Sequence, residues 1–480
     1  MKVRFAPSPT GFLHIGNART AVLNHLLAKK YNAHLVLRIE DTDMERSSRE
    51  SELSIMDDLK WLGIEWHEGP DKGGDNGPYR QSERFDIYER YTQKLLDEGN
   101  AYHCYCTRDE LEAMRKDAEG NVTSFAYNGH CRNLTQEQKD AYEKEGRKPT
   151  VRFRVPEDEK VVVKDHLKGD IEFNSDHIGG DFIIVRSDGT PIYNYIVTID
   201  DTLMGITHVI RGEDHLSNTP KQVLVARALG MEEPEYAHQP LILGEDRSKL
   251  SKRHGITSVD LYRKEGYLPE ALVNYLAMLG WATDSGKEIL TEEELLQQFD
   301  MKGLGKSAAI FDFQKLKWVN GQYINQYEIA SLTDLLIPYI KDAGYDTDKV
   351  DRSHLEAIVE LLRGNCEVLS DIKALIGMFL EDVPAPDEAA DAILKEDYGQ
   401  EIIACAHSLL GSEITEENFT TDLVAKIKEG SSQKGKKLFM PIRALVTGRQ
   451  KGPDIDKALP LIGFENCKKR IEACYTTYCK

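Results

Sequence analysis

The chain has 480 residues and a formal net charge of −20, and 40% of its residues are hydrophobic and 30% are charged. This composition excludes disordered, collagen-like and disulfide-scaffold proteins, and the length predicts about three or four domains. The acidic total argues against a nonspecific nucleic-acid coat, although a specific RNA enzyme stays possible. No apolar run approaches the roughly 20 residues that cross a bilayer and no signal-peptide pattern is visible, so we expect no membrane association and a cytoplasmic location.

The first elements follow the order strand, turn, helix. A strand pattern at residues 3–6 leads into a Pro/Gly-rich turn at residues 7–11, and apolar residues at helical spacing follow. A second strand is predicted at residues 34–39, and a run of carboxylates begins directly after it at Glu40. This order is typical of a parallel nucleotide-binding sheet, in which ligands bind at the carboxyl ends of the strands.

The pattern changes between residues 104 and 186, where cysteine-bearing loops and β-rich segments indicate an insertion. Parallel-sheet character is then expected to return, and strands nearly vanish beyond residue 256. Helices are predicted from Pro269 and after the capping-box residue Thr291. The remaining predicted elements are strands at residues 150–155, 160–163, 182–185, 193–199, 209–211 and 241–243, and a loop at residues 383–386 before a helix at residues 387–397.

The first chemical motif is His14-Ile15-Gly16-Asn17, which lies where the first turn enters the first helix. A helix N-terminus offers unpaired N–H groups and partial positive charge, so phosphates bind there. Gly16 would let a base or ribose approach the backbone, and His14 could donate to a phosphate oxygen as charge develops. The alternative is that these residues only shape a strand-to-helix turn.

The second motif is a dense group of cations from Lys249 to Arg253, placed after a strand and flanked by small residues. A mobile loop with lysines suits transient capture of a triphosphate, because ammonium groups act as point charges that follow the phosphates. The alternative is a solvated basic loop.

Together, the two motifs resemble the signature sequences of class I aminoacyl-tRNA synthetases. Asn17, Leu250 and Arg253 depart from the generic signatures, as is common in this family. The flanking segments narrow the resemblance to the bacterial glutamyl-tRNA synthetase family, and they are residues 4–11, 38–43, 209–215 and 434–443.

The resemblance implies an α/β Rossmann-type catalytic domain with an inserted α+β acceptor-binding domain, followed by an all-α C-terminal anticodon-binding half. The implied domains are residues 1–103 (catalytic, first half), 104–186 (inserted, zinc-bearing), 187–255 (catalytic, second half with the lysine loop), 256–325 (helical stem contact) and 326–480 (anticodon binding).

A glutamate substrate would need cations for its two carboxylates and an anion for its amine, and arginine makes bidentate carboxylate contacts. By resemblance, the amino-acid pocket is lined by Arg4, Ser8, Glu40, Tyr193 and Arg211. The alternatives are that Arg4 and Arg211 pair with Asp41 or Glu213 and that Tyr193 packs in a core as a strand residue.

The resemblance also assigns the ATP site and the catalytic charges. The ATP-binding residues are His14, Gly16, Asn17, Lys249, Leu250, Ser251, Lys252 and Arg253. Among them, His14 and Lys252, with Lys249 in support, would stabilise charge at the phosphates. Mg²⁺ would enter with ATP, and phosphoryl transfer needs positioning and charge stabilisation more than a covalent nucleophile.

Three cysteines, Cys104, Cys106 and Cys131, cluster in the insertion and predict a structural zinc site that needs a fourth ligand. The candidates for that ligand are His103, Tyr127, His130 and Asn133. Many family members place Cys-x-His at the second half, but Cys131 is followed by Arg and Asn. The spacing from Tyr127 to Cys131 resembles a tRNA-modifying paralogue instead, which favours Tyr127. The alternative is three reduced thiols without metal.

The implied activity is ATP-dependent ligation of L-glutamate to tRNA(Glu) through a glutamyl-adenylate, by a monomer. Residues 311–321 resemble the segment that joins the catalytic and anticodon-binding parts, and Arg363 and residues 434–443 are candidate anticodon contacts or solvated faces. The alternatives are a relative that charges glutamine, a shortened paralogue that modifies a tRNA base, or a catalytically inactive RNA-binding protein.

Overall fold

A computed structural model describes residues 1–118, 127–281, 283 and 285–480, without the side chains of residues 115–118, Lys252 and Lys302. The described chain forms two compact units. The first comprises residues 1–262 and 272–313, and the second comprises residues 263–271 and 314–480.

The first unit contains all the described strands. They are β1 (Lys2–Phe5), β2 (His34–Leu37), β3 (Ala101–Cys104), β4 (Thr150–Phe153), β5 (Lys160–Asp165), β6 (Gly169–Asn174), β7 (Ile183–Val185), β8 (His208–Gly212), β9 (Glu235–Gln239), β10 (Ile242–Leu243) and β11 (Ala309–Ile310). The first eleven helices of the described chain are α1 (Ile15–Lys30), α2 (Arg49–Trp61), α3 (Phe85–Asp97), α4 (Arg108–Ala118), α5 (Gln136–Lys144), α6 (Tyr193–Leu203), α7 (Thr219–Leu229), α8 (Val259–Glu265), α9 (Pro269–Met278), α10 (Glu292–Gln298) and α11 (Phe313–Ile324). The unit boundaries fall within α8 and α9, and α11 belongs to the second unit from its second residue on.

Parallel strands form the centre of the first unit, as the order of the first elements predicts. Strand β1 pairs in parallel with β2, and β8 pairs in parallel with β9. The backbone N–H of Thr207 donates to the Lys2 carbonyl at 2.9 Å, which holds β1 alongside β8. Apolar side chains of β1 and β2 are buried, because strands covered on both faces carry nearly continuous hydrophobic sequence. The carboxyl ends of β1 and β8 therefore lie side by side.

An antiparallel sheet and a hairpin occupy the segment in which β-rich structure is predicted. Strands β3, β4 and β7 form the antiparallel sheet, and β5 pairs with β6 over the length of the hairpin. Strand β5 also touches the parallel sheet through a single pairing, Asp165 with Tyr236. The domain boundaries at residues 103/104 and 186/187 stay predictions.

One strand prediction in the first unit is wrong, and a second is right about the strand but wrong about its sheet. Residues 193–199 form the start of α6, in which Tyr195 and the next six residues are all buried. A helix that is buried on every side has no polar face, so its β-branched residues look like a core strand. Residues 182–185 contain β7, which is antiparallel to β4 and does not belong to the parallel sheet.

The second unit is helical, which confirms the predicted change after residue 256. Its helices after α11 are α12 (Ile329–Asp342), α13 (Arg352–Leu362), α14 (Ile372–Leu375), α15 (Gly377–Leu380), α16 (Glu388–Lys395), α17 (Asp397–Leu409), α18 (Phe419–Gly430), α19 (Lys436–Thr447), α20 (Ile455–Ile462) and α21 (Phe464–Tyr478).

Predicted helix starts are confirmed in both units. In the first unit, the Thr291 hydroxyl and the Glu294 carboxylate form the predicted capping box of α10. In the second unit, the Asp387 carboxylate accepts from the Ala390 N–H at 2.7 Å and caps α16. None of the helices in the described parts of the chain is both long enough and apolar enough to cross a membrane.

Candidate active site and sulfur cluster

A cavity of about 430 Å³ opens at the carboxyl ends of β1 and β8 and at the N-terminus of α1. The five residues predicted for the amino-acid pocket all line it: Arg4, Ser8, Glu40, Tyr193 and Arg211. Five of the predicted ATP-site residues also line it: His14, Gly16, Asn17, Lys249 and Leu250. The fold thus places the whole predicted amino-acid pocket and five of the eight predicted ATP-site residues around one space.

His14 is positioned by the turn that begins α1. It is the N-cap residue, and its Nδ1 accepts a hydrogen bond from the Gly16 N–H at 3.1 Å. A Cβ at position 16 would lie 3.4 Å from that Nδ1, which is an ordinary van der Waals contact. His14 therefore shapes the turn, as the structural alternative predicts, and also lines the cavity.

Arg4 is held by a buried network of charges. Its Nε donates to Asp201 Oδ1 at 3.2 Å, and Arg38 Nη1 donates to the same oxygen at 2.6 Å. Arg38 Nη2 also donates to Glu40 Oε1 at 3.0 Å. Asp41 is not the partner of Arg4, because its carboxylate accepts from the Ser82 N–H and hydroxyl.

This network sets the pKa values of its carboxyl groups in opposite directions. Burial raises the pKa of Glu40 against the attraction of Arg38. Burial acts in the same sense on Asp201, but Arg38 and Arg4 outweigh it and hold the pKa of Asp201 below its ordinary value. Asp201 therefore provides the fixed negative charge that orients Arg4.

Arg211 has one donor that no described residue satisfies. Its Nε donates to His238 Nε2 at 3.1 Å, and its Nη2 donates to Thr219 Oγ1 at 2.9 Å and Gln222 Oε1 at 2.8 Å. Its Nη1 is buried and lacks a hydrogen-bond partner in the described structure. Since an unpaired buried donor is costly, this atom is a candidate partner for a ligand oxygen.

His238 is held in one orientation by the carboxylate of Asp165. Its Nδ1 lies 2.6 Å from Asp165 Oδ2, so this nitrogen carries the proton and Nε2 accepts from Arg211. The predicted alternative partner of Arg211, Glu213, instead pairs with Lys168 at 2.7 Å.

Tyr193 contributes from a helix and not from a strand. It is the first residue of α6, and its hydroxyl lies 3.0 Å from His215 Nδ1. Burial raises the pKa of Tyr193 to about 12 and lowers the pKa of His215 to about 4. Both groups therefore face the cavity uncharged near neutral pH.

The lysine loop differs from the rest of the site because its cations are exposed. Lys249 Nζ pairs with Asp214 Oδ2 at 2.9 Å, and Arg253 Nη2 donates to Ser248 Oγ at 2.6 Å. Lys252 begins a short 3-10 helix, and its side chain lies outside the described residues. Ser251 and Arg253 are not among the described residues that line the cavity.

Several residues that build the site are missing from the sequence prediction. Asp201 and His238 act through other residues and carry no motif of their own, and Asp201 follows a segment predicted as a strand. His215 lies in residues 209–215, one of the segments that carry the family resemblance, so its place in the site could have been predicted from that segment. Arg19 lines the cavity from α1, and its guanidinium donates to the Pro240 and Leu279 carbonyls.

The three predicted cysteines meet at one point together with Tyr127. Their sulfur atoms lie within 4.8 Å of one another, and the distance from Cys106 to Cys131 is 3.5 Å. The Tyr127 hydroxyl lies 3.4 Å from Cys104 Sγ and 3.3 Å from Cys106 Sγ. His130 is exposed and does not belong to the described cluster.

The chemistry of this donor set fits zinc. Tetrahedral Zn–S bonds of about 2.3 Å imply sulfur separations near 3.8 Å, which is close to the observed spacing. Hydrogen bonds from Cys106 and Cys131, followed by Tyr127 and the nearby charge of Arg152, hold the pKa of the Cys104 thiol well below its ordinary value. Arg152 also lies over the Tyr127 ring, 3.9 Å from its centre.

Comparison with known proteins gives matches along the whole chain. Residues 1–318 match the family described as tRNA synthetases class I (E and Q), catalytic domain, and residues 331–475 match an anticodon binding domain.

Curated relatives and a solved structure are similar over nearly their full lengths. A glutamate–tRNA ligase of Carboxydothermus hydrogenoformans is 48% identical, covering 98% of this chain and 99% of that protein. Glutamate–tRNA ligase 1 of Caldicellulosiruptor saccharolyticus is also 48% identical, over 100% and 99%. A crystal structure of a glutamate tRNA ligase from Elizabethkingia meningosepticum, in complex with its amino acid, superposes with a TM-score of 0.87 at 33% identity, covering 100% and 99%.

Proposed function

The chain belongs to the class I tRNA synthetases of the glutamate and glutamine family, and we propose that it joins L-glutamate to tRNA(Glu) in two steps within the cavity described above. In the first step, a glutamate α-carboxylate oxygen attacks the α-phosphorus of ATP, which gives glutamyl-adenylate and releases pyrophosphate. In the second step, a hydroxyl of the terminal adenosine of tRNA attacks the adenylate carbonyl and AMP leaves. The product supplies glutamate for protein synthesis.

The unpaired Nη1 of Arg211 is the observation that carries the amino-acid assignment. It is a buried cationic donor in a cavity that also contains Arg4 and Glu40. Two arginines match the two carboxylates of glutamate, and Glu40 matches its ammonium group. We assign Tyr193 and Ser8 to the walls of the same pocket.

We assign the phosphate side of the cavity to the two signature motifs. The N-terminus of α1, with His14, Gly16 and Asn17, would face the nucleotide, because its N–H groups and dipole favour phosphate. Lys249 and Lys252 would follow the charge that develops as pyrophosphate leaves, with Leu250, Ser251 and Arg253 shaping the loop. Mg²⁺ enters with ATP and neutralises phosphate charge.

Pyrophosphate exchange, measured with glutamate and with glutamine and with or without tRNA, tests this proposal. We expect exchange with glutamate and none with glutamine, because a neutral amide leaves one arginine without its carboxylate. Exchange that prefers glutamine would overturn the substrate assignment. Absence of exchange under every condition would favour an inactive RNA-binding protein.

A charging assay with purified tRNA(Glu) and tRNA(Gln) then separates an enzyme that discriminates between the two tRNAs from one that charges both.

We propose that residues 104–186 contact the acceptor end of the tRNA, residues 256–325 contact its stem, and residues 326–480 contact its anticodon. Arg363 and residues 434–443 are the candidate anticodon contacts. We further infer a monomer that acts in the cytoplasm, where charged tRNA is consumed.

We propose that Cys104, Cys106, Cys131 and Tyr127 hold a structural zinc ion. Zinc would lock the loops of the insertion together and take no part in adenylate chemistry, because the cluster lies outside the cavity lining. Freshly prepared protein should contain about one tightly held zinc per chain, since structural sites are four-coordinate. Zinc loss should impair tRNA charging before it impairs pyrophosphate exchange.

Two variants identify the fourth ligand. Tyr127→Phe should retain the fold and lose zinc more readily, whereas His130→Ala should retain zinc. The reverse result would move the ligand to His130. If protein purified without any chelator contains no zinc, the proposed zinc site is wrong.

A further inference from the structure

Two histidines and a glutamate meet on the surface of the first unit. They lie at the amino-terminal ends of β8 and β9, opposite the strand ends that line the cavity. His208 begins β8, Glu235 begins β9, and His166 directly follows β5. Their ligand atoms all lie within 4.8 Å of one another. The other end of β8, at Arg211 and Gly212, lines the cavity, so this cluster is separate from the active site.

Both imidazoles direct a nitrogen at the same carboxylate oxygen. His166 Nε2 lies 2.5 Å from Glu235 Oε2, and His208 Nε2 lies 3.7 Å from it. The two rings are stacked with centres 5.8 Å apart. Positions 208 and 235 are register partners on neighbouring parallel strands, so the backbone fixes two of the three ligands.

Thr207 contacts the ring nitrogen of His208 that does not face Glu235. The Thr207 hydroxyl donates to the Lys2 carbonyl at 3.1 Å and accepts from the Lys2 N–H at 2.9 Å. The same hydroxyl lies 2.8 Å from His208 Nδ1. In the tautomer that carries its proton on Nδ1, His208 donates to Thr207, and the lone pair of its Nε2 faces the Glu235 carboxylate oxygen. A cation between these two acceptors would satisfy both.

We propose that His166, His208 and Glu235 form a second metal site, which takes a divalent transition metal such as Zn²⁺. Two imidazole nitrogens and one carboxylate oxygen suit zinc and its neighbours in the first transition series, and they do not suit Mg²⁺ or Ca²⁺, which prefer oxygen ligands. Thr207 acts as the outer partner that orients His208, as is usual for metal-bound histidines.

The exposure of the cluster indicates how the site would be loaded. The side chains of His166, His208 and Glu235 are 33%, 22% and 51% exposed, so an ion reaches them without unfolding. Zinc bonds of about 2.0–2.2 Å require the three ligand atoms to be arranged around one ion. Rotation of the two more exposed side chains, His166 and Glu235, would bring their ligand atoms into such an arrangement with His208. Water would complete the coordination, so this ion should exchange faster than the ion held by sulfur.

Calorimetric titration of the full chain with Zn²⁺, after the sulfur cluster has been loaded, tests the proposal. Wild-type protein should bind about one further equivalent. His208→Ala and Glu235→Gln should each weaken this binding at least tenfold, and Thr207→Val should weaken it by less. His177→Ala, which removes an exposed histidine elsewhere in the same unit, is the matched control and should bind as the wild type does.

A Co²⁺ titration distinguishes the two metal sites by their ligands. Thiolate ligands give charge-transfer absorption that imidazole and carboxylate ligands lack, so the second equivalent should bind without adding to that band. Pyrophosphate exchange should be unchanged in Glu235→Gln, which shows that this variant is folded. A wild-type protein that takes up no second equivalent, or a second equivalent that persists in the His166→Ala/His208→Ala double variant, would overturn the proposal.

Discussion

The amino-acid side of the cavity and the lysine loop both carry charge, but they hold it in different ways. Arg4, Arg38 and Asp201 form contiguous ion pairs with side chains at most 7% exposed. In the loop, Lys249 and Arg253 are 64% and 66% exposed and pair with single surface carboxylates. The charges of the pocket are fixed before the substrate arrives, whereas those of the loop stay available to a ligand.

The fixed charges of the pocket and the exposed charges of the loop suit the two tasks proposed for them, amino-acid recognition and stabilisation of the leaving pyrophosphate. Recognition of a small dicarboxylic acid needs cations in set positions, and buried partners supply that rigidity at the cost of desolvation. Stabilising a leaving pyrophosphate needs cations that move with it, and weakly paired surface lysines can do so. The same side-chain chemistry thus serves specificity in one place and rate in the other.

The largest effect is expected where a buried charge loses its partner. Asp201→Ala leaves Arg4 and Arg38 without their shared carboxylate, so the free energy of unfolding should fall by about 3–5 kcal/mol. Urea unfolding of the variant, followed by loss of pyrophosphate exchange, measures this change. Unchanged stability would mean that the network does not hold the pocket.

Lys252→Ala tests the rate function of the loop. If this lysine stabilises charge on the triphosphate, its loss should cost about 2.7–4 kcal/mol of transition-state stabilisation, or roughly 100- to 1,000-fold in the activation rate. Glutamate affinity should change little. Presteady-state formation of adenylate gives both quantities, and normal turnover would remove Lys252 from the catalytic groups.

Arg211→Ala tests the specificity function of the pocket. A carboxylate that loses a charged hydrogen bond is held less tightly by about 1.5–3 kcal/mol, so the KM for glutamate should rise roughly 10- to 150-fold. The KM for ATP should not change. Arg211→Lys should rescue only part of the loss, because lysine lacks the planar fork of donors. Unchanged glutamate affinity would show that Arg211 only pairs with His238, Thr219 and Gln222.

The smallest effect is expected for Asp214→Ala, the surface counterpart of Asp201→Ala. The pair of Asp214 with Lys249 is solvent-exposed, so the free energy of unfolding should change by less than about 1 kcal/mol. The same urea experiment measures both variants. A loss as large as that of Asp201→Ala would contradict the contrast between the two regions.

The order of the main elements and the two signature motifs could be predicted from the sequence. Strand, turn and helix at the start of the chain, the change to helices after residue 256, and the capping box at Thr291 are local patterns, and local physics is enough to predict them. The family resemblance assigned Arg4, Glu40 and Arg211, and the clustering of the three cysteines in the sequence indicated the sulfur site. The structure brings these residues together as two groups. Their roles in binding and catalysis stay predictions.

The partners that hold the site residues could not be predicted from the sequence and are visible only in the folded chain. Asp201 is 197 positions from Arg4 in the chain, and Asp165 is 73 positions from His238, so no local pattern links these pairs. The helix that starts at Tyr193 looked like a strand, because burial on all sides removes the polar face that reveals a helix. Pairings across such distances are set by how strands and helices pack, since packing brings the charges close and excludes the water that would otherwise screen them.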